Sequence, residues 1–154
     1  MKALFDFAGE SALGLWMRES SYTFPAFEMI HLIGLAALLG SMLLFNLRFF
    51  GVGLGQLRIS EVAQDLAPWT RISLIVMVVS GIPLFCAKAE DLWGDDRTNF
   101  TIKMLLIAFS VVFFYVVQMP LARKESLSIG RAAAVISLAT WFGAALAGLS
   151  LEFI

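Results

Sequence analysis

The sequence predicts an all-α fold, an integral membrane four-helix bundle with an N-terminal amphipathic interfacial helix, on three observations. Of the 154 residues 60% are hydrophobic and 15% charged, whereas soluble domains run at roughly 45–50% and about 25%. A chain this small must cover most of its surface with polar groups to live in water, and this one lacks them. The apolar residues also fall into four blocks, each close to the ~20 residues that cross a ~30 Å hydrocarbon core, and the mean hydropathy is +0.85. The whole chain, 1–154, reads as a single transmembrane domain with lipid as its main solvent.

The interfacial helix is placed at about residues 3–18. Leu4, Phe5, Ala8, Ala12, Leu15 and Trp16 recur at helical spacing opposite Asp6, Glu10 and Arg18, which describes either a helix lying flat on the membrane or a lid packed on its neighbours. Asp6 and Glu10 interrupt the apolar run before it reaches the length of a signal peptide's core, so the segment is expected to stay attached. The spanning helices are placed at about 24–47, 69–87, 100–119 and 131–151. Pro25 suits the first turn of the first, Pro68 precedes the second, Pro83 is expected to kink it, and Pro120 is expected to end the third. Ile59, Val62, Ala63 and Leu66 suggest a separate surface helix between the first two. The glycines at 51, 53 and 55 follow a membrane helix rather than a strand, so they do not form a dinucleotide fingerprint.

Charge narrows the function classes. A net charge of −1 offers no cationic face for nucleic acid. One cysteine and one histidine rule out an internal disulfide and a Cys/His zinc site within the chain. Arg48, Arg58, Arg71, Arg123, Lys124 and Arg131 cluster at the two connections that share a side. The positive-inside rule then places those connections in the cytoplasm and both termini outside it.

Ionisable groups inside spanning helices are costly, which makes them the first places to look for function. Glu28 and His31 lie three apart, on one helix face, and that face continues through Leu35, Leu38, Met42 and Asn46 as a stripe expected to point into the bundle. Lys103 enters the third spanning helix from the same end, and Ser80 and Gly81 reach similar depth on the second. Gly34 and Gly81 provide room for a flat macrocycle or for a close helix crossing. His31 thus has three readings: a structural histidine bonded to Glu28 or Ser80, an axial ligand of a b-type haem, or a copper ligand with Met104 or Cys86. Lys103 and Glu28 read either as a buried ion pair or as a working pair, with Lys103 holding a haem propionate or a quinone oxygen while Glu28 orients the imidazole. Asn46, Arg48 and Arg71 suggest a cluster at the cytoplasmic side, with interface anchoring as its simpler role. Trp141, Gly143, Ala144, Ala147 and Gly148 give the last helix small residues at three- and four-residue steps, suited to close packing within the bundle or in an oligomer.

Taken together, Pro25-x-x-Glu28-x-x-His31, Gly40, Asn46-Leu47-Arg48, Gly51, Pro68-Trp69, Ser80-Gly81 and Asn99-Phe100-x-x-Lys103 resemble an uncharacterised bacterial family of small four-helix membrane proteins. The chain departs from that pattern at Asn46, where the family usually has an acidic residue, and at Ala147-Gly148-Leu149-Ser150, where it has a Gly-Arg pair. More distantly the layout is similar to the membrane domain of copper-resistance D proteins and to the haem-containing membrane protoporphyrinogen oxidases. That resemblance implies a haem or copper context for His31, with Lys103 as its partner. The resulting expectation is a haem b subunit passing electrons between an extracytoplasmic donor and quinone or a partner complex. The second axial ligand would be Lys103, Met104 or a symmetry-related His31 in a homo-oligomer. Copper handling, or a cofactor-free accessory role in a larger complex, are the alternatives.

Overall fold

The computed structural model describes residues 2–53, 56–93 and 97–150, and every regular element among them is helical. Two short helices, α1 (Lys2–Gly9) and α2 (Ala12–Glu19), precede α3 (Thr23–Phe50) and α4 (Ile59–Ala87). There follow α5 (Ala89–Trp93), α6 (Arg97–Phe113), a π-helical turn over Phe114–Gln118, α7 (Met119–Arg123) and α8 (Leu127–Ser150). Four segments are long and apolar enough to cross a membrane: α3, α4, the continuous run Arg97–Arg123, and Leu127–Leu149. In the most apolar stretch of Arg97–Arg123 only 11% of residues are buried by protein. Leu105, Val112 and Val116 on that run, like Ile72, Ile75 and Val79 on α4, point outward. Such surfaces are stable only against lipid or another protein, so this is the build of a membrane protein.

The chain α3 packs along α4 on one side and α8 on the other, and α6 packs along α8. The densest core lies toward the C-terminal end of α3, where Met42, Phe45 and Phe49 meet Ile59 and Ala63 of α4, Phe114, and Ala134 and Trp141 of α8. Leu35, Leu38, Met42 and Asn46 do form the inward stripe that their spacing predicts; the last three are buried and Leu35 is partly so. The helix ends at Gly51, whose φ of 76° lets its N–H turn back to the Arg48 carbonyl at 3.1 Å.

At the opposite end the N-terminal helices close over the bundle. The chain breaks at Ser11, whose Oγ accepts from the Gly14 N–H at 3.1 Å, so the predicted single helix is two. Their packing matches the lid reading of that segment. A Cβ at Gly14 would lie 2.7–2.9 Å from the carbonyl oxygens of Gly9, Ala8 and Cys86, so only glycine permits this docking. Arg18 donates to the carbonyls of Gly9 (2.6 Å) and Ala87 (3.4 Å), tying α2 to the C-terminal ends of α1 and α4. Phe5 sits edge-on to Phe85 and against Trp93, with ring centroids 5.2 Å apart in each case.

Prolines shape the helices less than the sequence suggests. The turns over Ile59–Leu66 are not a separate surface helix but the first part of α4, with Ile59, Val62 and Ala63 buried in the core. Pro68 removes one backbone donor and sits on an exposed face, so core contacts before it carry the helix through. Pro120 likewise does not stop the third span. The π-helical turn just before it re-routes the backbone bonds, and the helix runs on to Arg123.

Candidate functional site

Pro25 lies in the first turn of α3, and one turn further in come Glu28 and His31. His31 is half-buried and faces α4. Its Nδ1 lies 2.9 Å from Ser80 Oγ, while the Ser80 hydroxyl is 2.6 Å from the Val76 carbonyl. A carbonyl only accepts, so the serine proton points to Val76 and Ser80 Oγ accepts from the imidazole. If the ring is neutral, this bond puts its proton on Nδ1 and leaves Nε2 as the accepting nitrogen. Gly81 provides the space: a Cβ there would lie 3.2 Å from His31 Cε1, and any larger side chain would push the imidazole aside. Ser80-Gly81 therefore forms one cradle, the serine fixing the ring's proton and the glycine its position.

Lys103 enters α6 from the same end, and Gly148 makes room for it on α8. A Cβ at 148 would lie 3.2 Å from both Cε and Nζ of the lysine. Glu28, His31 and Lys103 all have further partners. Of the two glycines expected to offer room, Gly81 receives the imidazole. Gly34 instead takes Val76, whose Cγ1 would be 2.9 Å from a Cβ at that position, so that space is filled by a close helix crossing. Met104 is 48% exposed on the outer face of α6, and Cys86 is buried beside Ala8 and Ala89. Among the described residues no three His, Cys, Asp or Glu side chains cluster in a way that could hold a metal ion.

Asn46, Arg48 and Arg71 each bond to a different group. Arg48 donates to the Leu57 carbonyl at 2.7 Å and Arg71 to Ala67 on its own helix at 3.3 Å. Asn46 is instead the centre of a buried amide layer that sequence reasoning misses. Its Nδ2 donates to the Met42 carbonyl (2.7 Å) and to Ser137 Oγ (3.3 Å), while its Oδ1 accepts from Gln118 Nε2 at 2.7 Å. Asn46 and Gln118 are both 0% exposed.

At this same end the loop before α8 is clipped to the start of α4. Glu125 has a φ of 50°, and its carboxylate accepts from the backbone N–H groups of Ile59 (3.1 Å) and Ser60 (3.0 Å) and from the Ser60 hydroxyl (2.6 Å). The hydroxyl bond, with the backbone bonds and Arg58 nearby, lowers the Glu125 pKa from its ordinary value. Together with the Arg131 bond to the Phe49 carbonyl at 3.3 Å, this clip gathers the Arg-rich connections at one end of the bundle.

The model of DUF6644, a family of unknown function, matches residues 4–154. The chain belongs to that family. Among curated proteins and solved structures nothing matches it.

Proposed function

We propose that this DUF6644 member is a b-haem-binding membrane subunit with His31 as an axial ligand. It would pass electrons between a donor outside the cytoplasm and quinone or a partner complex in the bacterial inner membrane. One observation carries the reading: His31 Nδ1 is bonded to Ser80 Oγ, whose own proton goes to the Val76 carbonyl, an arrangement that in a neutral ring leaves Nε2 with the character of a ligating nitrogen within an apolar bundle. A bound haem would supply one-electron redox chemistry. The chain's own residues have simpler tasks. Ser80 and Gly81 orient the imidazole, Glu28 one turn away adjusts its basicity, and the Lys103 ammonium suits an acidic group such as a propionate or a quinone oxygen. The sequence contains one histidine, so a second imidazole ligand would come from another copy or a partner subunit. Gathering of Arg48, Arg58, Arg123 and Lys124 at the end away from His31 favours both termini outside the cytoplasm.

A second reading, a cofactor-free accessory subunit, is favoured by the filling of Gly34, Gly81 and Gly148 with Val76, His31 and Lys103. Copper bound through His31 and Met104 is favoured less, because Met104 faces outward. Oxidised and dithionite-reduced spectra of protein purified in mild detergent, with metal analysis of the same sample, separate the three. A Soret band with sharp reduced α and β bands supports haem, and stoichiometric copper without a Soret band supports the copper reading. A colourless, metal-free protein leaves the accessory role.

A further inference from the structure

The amide layer has a hydrogen-bond direction fixed by one carbonyl. Because Met42 O can only accept, Asn46 must present Nδ2 to it and Oδ1 to Gln118, and Gln118 must answer with Nε2. Gln118 Oε1 is then a buried acceptor with no hydrogen-bond partner among the described residues, as are Ser110 Oγ and Trp141 Nε1. An unmet buried polar atom costs about 1–3 kcal/mol, and three in one bundle core would be an unusual burden. They are also complementary: the indole N–H only donates, the amide oxygen only accepts, and the hydroxyl does both.

Asn46 links the elements that carry them, bonding Gln118 of the third span and Ser137 of α8. Trp141 lies one turn from Ser137, which bonds Asn46, and both are buried on α8, which packs against α3 and α6. Ser110 and Gln118 are eight residues apart on the third span, which in an uninterrupted α-helix would set them about 80° apart. The π-helical turn at Phe114–Gln118 takes an extra residue per turn and swings Gln118 back toward the buried face that carries Ser110 and Phe114. The backbone irregularity thus aims the unpartnered oxygen inward.

We propose that this layer is an internal water-binding site, in which water bridges Gln118 Oε1, Ser110 Oγ and Trp141 Nε1 between α6 and α8. Polar atoms separated by more than hydrogen-bond reach inside an apolar core are the usual setting for buried water, which needs two to four polar partners. The three atoms are uncharged, lie on helices other than the one carrying His31, and do not depend on a cofactor.

The test is a water-to-indole transfer NMR experiment on protein labelled at tryptophan nitrogen, with Trp141→Phe assigning the Trp141 signal. The expected result is a water cross-peak at the Trp141 indole proton. It survives Ser110→Ala at reduced intensity, since Gln118 still holds the water, and vanishes when Gln118→Leu is added. The other three indole signals report that each variant remains folded. Absence of the cross-peak in the unaltered protein overturns the proposal. So does its complete loss in Ser110→Ala, which would trace it to the serine hydroxyl, or its persistence in the double variant.

Discussion

The two polar centres of this bundle differ in nearly every respect. The Glu28–His31–Lys103 end is ionisable and half-buried, and is built on glycines that make room for side chains. The Asn46–Gln118–Ser137 layer is neutral and fully buried, and it relies on a backbone irregularity rather than on missing side chains. Inside a membrane, charge is tolerated where long side chains can reach the interface, whereas a fully buried position accepts only groups whose bonds close on each other or on water. The first centre is thus suited to binding and chemistry, and the second to fixing how α3, α6 and α8 register.

If that division is right, stability should respond most strongly at the neutral layer. Asn46→Leu would strand Gln118 Nε2 and is expected to cost about 2–3 kcal/mol in detergent unfolding. Asn46→Leu combined with Gln118→Leu should cost clearly less than the two single changes summed, because the double change removes both ends of one bond. Additive costs would mean that the two amides do not act as a unit.

Ser80→Ala should sit lower, at about 1 kcal/mol, in the range of interhelical bonds in membranes. Its effect on ligand binding should be much larger than its effect on folding. Loss of an orienting partner typically weakens a histidine-held group by about 10–100-fold, measurable by haem titration of the apoprotein. Gly81→Ala should act in the same direction, since its methyl would press on His31 Cε1. A Ser80→Ala loss confined to stability would move His31 into the same structural class as Asn46.

The smallest effect is expected at the Glu125 clip. Glu125→Gln keeps the shape but removes the charge, costing about 1 kcal/mol or less for a half-buried cap. Because the folded protein lowers this pKa, the carboxylate's contribution is complete above the ordinary glutamate range. It drains away as pH falls from that range through the lowered folded value. Unfolding midpoints of the parent and Glu125→Gln should therefore converge in acid and separate toward neutral pH.

The two centres were unequally legible. His31 and Glu28 stand out because charge is rare inside apolar helices, and three-residue spacing puts both on one face. Ser80-Gly81 is visible for the same reason, as a small polar pair in a run of large apolar residues. Gln118 is invisible to the same reasoning. It lies at the end of an apolar block, next to Pro120 and the basic Arg123-Lys124, where a polar residue reads as an interface anchor. Only the π-helical turn rotates it inward, and no periodicity in the sequence announces that turn. The one available signal was Asn46 on the inward stripe, a buried amide that had to find a partner. The prolines misled for a related reason: each removes one hydrogen bond locally, while the core contacts of Ile59, Val62 and Ala63, or the re-routed bonds before Pro120, decide whether the helix continues. The N-terminal segment was legible as amphipathic, but its break depends on Ser11 and on the fit of Gly14 against three carbonyl oxygens.

The most direct test of the central claim is the reduced-minus-oxidised spectrum of His31→Gly, purified with haem present, with and without added imidazole. The account expects haem bands in the parent protein, none in the variant alone, and their recovery when free imidazole enters the space beside Gly81 and Ser80. Haem bands in the variant without imidazole, or none in the parent under any loading condition, would contradict the assignment of His31 as an axial ligand.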